Sequence, residues 1–68
     1  MGIETMSQLS EFLAANGLDA MIKFYLRAWH VELFKDTARV ARSSSGEWGD
    51  AVQHAISVYQ RQQQNPAA

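Results

Sequence analysis

The chain lacks cysteine altogether, which excludes disulfides and thiolate metal sites and leaves two histidines and seven carboxylates as the only metal-ligand candidates. It has one proline, Pro66, and four glycines that never cluster, so it has no glycine-rich phosphate loop; Gly46-x-x-Gly49 follows no strand pattern. It lacks an excess of either charge. Six Lys and Arg against seven Asp and Glu leave a net charge of −1, with no global attraction to nucleic acid or anionic membrane. It lacks an apolar run of the ~18–20 residues a membrane span needs, and its N-terminus lacks the basic-then-apolar layout of a signal peptide. Gly2 is followed by Met6 where a myristoylation motif needs Ser or Thr. The expected setting is soluble and cytoplasmic, without a membrane partner.

What is present is apolar: 68 residues, 47% hydrophobic, with two Trp, two Tyr and three Phe. Below about 70–80 residues a single core rarely supplies more than about 3–5 kcal/mol. With no disulfide to add to that, self-association is the expected staple.

Thr5 and Gln8 have the spacing of a capping box, and Leu9, Phe12 and Leu13 follow at i, i+3, i+4. Asn16-Gly17 is a helix stop with Leu18 placed to fold back on the preceding turn, so the first helix is expected over Met6–Ala15, after frayed residues 1–4. Asp19 is a good N-cap, and no Gly or Pro interrupts the chain from there to Arg42. The spacing predicts one long helix over Asp19–Arg42. Ser44 and Glu47 repeat the capping-box spacing and open a last helix, Glu47 to about Gln62. Residues 1–62 form one helical domain on this basis, and 63–68, a Gln-rich stretch ending Asn-Pro-Ala-Ala, a disordered polar tail. The expected fold class is all-α: a short N-terminal helix, a long helix and an antiparallel C-terminal helix forming a helical hairpin.

At about 100° per residue the long helix carries Ile22, Tyr25, Leu26, Trp29, Leu33 and Val40 on one face. A second stripe, Met21, Phe24, Ala28, Val31 and Ala38, lies nearly opposite. A helix apolar on two sides must be covered on two sides. The last helix, with Trp48, Val52, Ala55, Ile56 and Tyr59 on one face, covers the first. The second stripe is assigned to a homodimer interface in a dimeric helical bundle, the alternative being a three-helix monomer closed by the first helix.

Asp50, His54 and Ser57 fall on one polar helix face, as a solvated surface does, without the pocket and oxyanion site a triad needs. Asp50 and His54 with His30 are too few for a metal motif such as H-E-x-x-H. No cofactor and no enzymatic activity are expected. Between the apolar stripes Lys23, Arg27, His30 and Phe34 form a basic strip with an aromatic, the composition of protein-interface hot spots. Arg39 and Arg42, beside Lys35, form a second basic patch that also complements the helix dipole.

The run Leu9–Leu26, with Asn16-Gly17 between two expected helices, resembles the helix-turn-helix of DNA-binding regulators. Its would-be recognition helix opens Asp19, Ala20, Met21, Ile22, acidic and then apolar, where base-reading helices carry Arg, Lys, Asn, Gln or Ser. The function expected is that of a small non-enzymatic regulator that binds a larger protein partner, as adapter, inhibitor or anti-activator. The alternative is a small DNA-binding transcriptional regulator, with nucleic acid disfavoured.

Overall fold

A computed structural model describes residues 3–64 and overturns the all-α expectation. The elements run α1 (Met6–Asn16), β1 (Asp19–Tyr25), β2 (Ala28–Lys35), β3 (Ala38–Ser45) and α2 (Trp48–Gln64). The fold is α+β, with one antiparallel sheet in the order β1-β2-β3. There is no long helix over Asp19–Arg42, no helical hairpin, and no second helix of a helix-turn-helix.

The physical reason is side-chain alternation. In Trp29-His30-Val31-Glu32-Leu33, apolar and polar residues alternate with the period of a half-buried strand. Val31 and Leu33 are both fully buried, whereas a helix would set them on opposite sides. β1 and β2 are rich in aromatic and branched residues, which fit a pleated surface better than a helix. Two-residue turns join the strands. Leu26-Arg27 (φ 54° and 62°) and Asp36-Thr37 (φ 52° and 69°) both take the left-handed backbone that a type I′ hairpin turn requires. Neither contains the Gly or Asn that would announce such a turn.

Helix α1 forms as its local signals require. Gln8 N–H donates to the Thr5 hydroxyl at 3.2 Å and the Gln8 side chain accepts from Thr5 N–H at 3.1 Å, completing the capping box. Gly17, at φ 64°, ends the helix, and Leu18 N–H returns to the Leu13 carbonyl at 2.9 Å. This geometry delivers Leu18 into the core. Gly17→Ala is expected to lower stability by about 1–2 kcal/mol, because an L side chain is disfavoured at positive φ; chemical denaturation measures it, and an unchanged midpoint would contradict the cap.

Residues 3 and 4 are not frayed: Ile3 N–H donates to the Gln53 side chain at 3.1 Å and ties the N-terminal segment to α2. The Gly46-x-x-Gly49 segment follows β3 after all, and Glu47 N–H is held by the Ser45 hydroxyl rather than by Ser44. Residues 63 and 64 belong to α2 and not to a tail, while the rest of the tail expected over 63–68 lies outside the described residues.

Both helices contribute to a core on one face of the sheet. Leu9 and Leu18 join Val31, Leu33 and Ala41 of the sheet and Ala51, Val52, Ala55, Ile56 and Tyr59 of α2. Phe12 meets Tyr59 edge-to-face, centroids 6.5 Å apart. The amphipathic face read in the last helix is thus used, but against the sheet. Ser43 adds a hydroxyl bond to the Ala51 carbonyl that pins α2 to β3. Among the described residues no helix is long and apolar enough to cross a membrane.

Candidate functional site

The opposite face of the sheet is where the chemistry-bearing side chains collect. Residues that are direct partners across an antiparallel ladder share a face. The register therefore lays out rows on the outer side: Asp19, Phe34 and Arg39; Met21, Glu32 and Arg42; Lys23, His30 and Ser44; then Tyr25 and Ala28. A register shift between Leu33 and Phe34 leaves Val40 unpaired in β3, so a bulge separates Arg39 from Arg42. The buried residues of both helices meet the other side of the sheet, leaving this face open.

The geometry across it is specific. Arg39 donates to Glu32 at 2.9 Å, with the Arg half exposed. Such an exposed pair contributes at most about 1 kcal/mol, so its role is mainly to offset a central carboxylate. His30 Nε2 donates to the Tyr25 carbonyl at 3.1 Å, which turns the imidazole toward the β1–β2 turn. Lys23, Tyr25, His30, Glu32 and Arg42 line an open depression of about 250 Å³. Tyr25 is 61% exposed and Met21 is also exposed, so the face mixes cations with apolar surface.

The partner-binding residues read from sequence are brought together in large part, though not on a helix. Lys23, His30, Phe34, Arg39 and Arg42 share the outer face, while Arg27 sits in the β1–β2 turn beyond its edge. The five assigned to a dimer stripe are scattered. Met21 and Ala28 lie on the outer face, Phe24 meets Trp29 in a tilted aromatic contact on the inner face, Val31 is sealed in the core, and Ala38 begins β3. Tyr25, Met21 and Glu32 had no place in the strip, yet all three belong to the outer face. The signal for them was the alternation of His30, Glu32 and Phe34 against Trp29, Val31 and Leu33.

Asp50, His54 and Ser57 border a second open depression, with Ser44, Ser45, Gln53 and Arg61, where α2 flanks β3. No hydrogen bond joins the three among the described residues. His30 stands across the sheet from α2, so it cannot complete a metal site with Asp50 and His54. Among the described residues no group of three or more His, Asp or Glu is placed to hold a metal ion.

Charge is divided between the layers. The strands and their turns carry Lys23, Arg27, Lys35, Arg39 and Arg42 against Asp19, Glu32 and Asp36. The remainder carries Arg61 against Glu4, Glu11, Glu47 and Asp50. A molecule of net charge −1 thus presents a basic sheet and an acidic helical layer. No protein-family model, curated protein or solved structure matches the chain.

Proposed function

We propose that this protein is a non-enzymatic binding module that engages an acidic surface of another protein through the open face of its sheet, and modulates that partner as an adapter or inhibitor. The observation that supports this most is the placement of Lys23, Arg39 and Arg42 beside Met21, Tyr25 and Phe34 on a face to which the core contributes nothing. Arginine and aromatic side chains on a rigid element are the residues that dominate interface energetics, and local positive charge steers association with an acidic partner. The bidentate capacity of Arg42, which no described acidic side chain occupies, suits a carboxylate.

The test is affinity capture from the native host's lysate with the wild-type chain, the Phe34→Ala/Arg42→Ala variant, and Arg61→Ala as a control on the acidic side. Each outer-face substitution is expected to weaken association by about 1 kcal/mol or more, so the double variant loses the partner while the control keeps it. Equal recovery by all three, with the fold intact by circular dichroism, removes the face from consideration.

A second reading rests on the same residues. An open sheet that presents aromatics between cations is also a stacking platform for single-stranded nucleic acid. Glu32 at its centre and Asp19 at its corner oppose a phosphate backbone. Anisotropy of a labelled oligonucleotide at low salt separates the two: binding that falls steeply with added salt favours nucleic acid.

A further inference from the structure

The two edges of the sheet are built differently. The β3 edge is broken by the bulge at Val40, bears Arg39, Arg42 and three serines, and is flanked by α2. Bulges and covering elements are how sheets avoid pairing with other strands; edge charge does not separate the two, since β1 bears Asp19 and Lys23. β1 has no bulge, Gly or Pro over its seven residues, and Met21, Phe24 and Tyr25 on it are exposed. Its free backbone groups can be assigned. A two-residue turn makes the closing pair, Tyr25 and Ala28, a hydrogen-bonded one. Alternation then points the amides and carbonyls of Asp19, Met21 and Lys23 at β2, and those of Ala20, Ile22 and Phe24 away from the sheet. No backbone hydrogen bond outside the regular elements engages these three among the described residues.

We infer that β1 pairs antiparallel with β1 of a second copy, about a two-fold axis perpendicular to the sheet, to give one six-stranded sheet with all helices on the same side. Opposed residues share a face, so only registers that match inner with inner residues are allowed. Centring the pair on Lys23 sets two lysines against each other. Centring it on Ile22 sets Asp19 against Tyr25 and Met21 against Lys23. Centring it on Met21 sets Asp19 against the partner's Lys23 at both ends, which is the register with matched charges. That register also hydrogen-bonds Ala20 to the partner's Ile22 twice over, and brings Phe24, 58% exposed in the single chain, opposite the partner's Leu18. The outer faces of the two copies become continuous, doubling the surface described above. This inference concerns the edge alone and holds whatever the outer face binds.

Sedimentation equilibrium of the full chain tests it. The wild type is expected to be a dimer at high micromolar concentration. Lys23→Asp, which opposes like charges at both ends, raises the dissociation constant about tenfold, and Asp19→Lys/Lys23→Asp together restore it. Ala20→Pro removes an outward N–H that the single chain does not use, so it yields a folded monomer. Because the chain has no cysteine, Met21→Cys reports the register directly: an opposed non-hydrogen-bonded pair lies about 4.5 Å apart at Cα, within disulfide range, and mild oxidation gives a covalent dimer. A wild-type monomer overturns the inference. So does a dimer that the folded Lys23→Asp variant leaves intact, a charge swap that fails to rescue, or a Met21→Cys dimer that does not cross-link. Should Ala20→Pro fail to fold, the charge swap and the cross-link carry the test unaided.

Discussion

Leu33→Ala is expected to destabilise the protein by about 3 kcal/mol, within the range for truncating a buried leucine. Leu33 is fully buried at the centre of β2, between Ala20 of β1 and Ala41 of β3 and under α2. Both strand neighbours are alanines, so neither can fill the space from within the sheet. The cost of a truncation grows with the cavity that is left behind. For a core of this size, which rarely supplies more than about 3–5 kcal/mol, the loss leaves a large fraction of molecules unfolded. Val31→Ala should follow, at about 2 kcal/mol. Urea unfolding monitored by Trp fluorescence gives both values.

The contrast between the ends and the middle of this chain shows what local signals carry. The capping box of Thr5 and Gln8, the Gly17 stop and the apolar face of Val52, Ala55, Ile56 and Tyr59 all lie within a few residues of one another, and α1 and α2 form where those signals place them. The strands depend on partners distant in sequence, and their turns carry no glycine, proline or asparagine to mark them. With apolar residues frequent from Met21 to Val40, a helical period finds members almost as readily as a period of two does. Trp29, Val31 and Leu33, set against His30 and Glu32, were the residues that distinguished the two. Much of the outer face was legible for a related reason. A helical period groups Lys23, Arg27, His30 and Phe34 in one strip and Arg39 and Arg42, beside Lys35, in another, and the ladder register sets all of these except Arg27 and Lys35 in rows on one face. The ion pair between Glu32 and Arg39, seven residues apart in the chain, follows from the β2–β3 turn and has no counterpart in a helical reading.

Replacing each two-residue turn with Asn-Gly is expected to stabilise the fold by about 1 kcal/mol per hairpin, after the greater unfolded-state entropy of glycine is set against the relief of strain. Thr37 at φ 69° is the most strained of the four, since a branched Cβ crowds the left-handed backbone more than any other side chain. The turns lie at opposite ends of β2, so the two effects should add to about 2 kcal/mol. Thermal and urea denaturation of the single and combined variants would show it, and a loss of stability in either would mean that the turn is not type I′. The two hairpins should nevertheless differ in function. Leu26 is 79% exposed and stands with Arg27 beside Tyr25, so the β1–β2 turn keeps a large apolar side chain in water on strained backbone. Stability alone would not retain such a turn, and strained, exposed apolar positions concentrate where proteins bind. The expected outcome is that Asn-Gly at 36–37 raises stability with partner capture unchanged, whereas Asn-Gly at 26–27 raises stability and weakens capture. Equal capture by both variants would confine binding to the sheet face and leave the tip without a role.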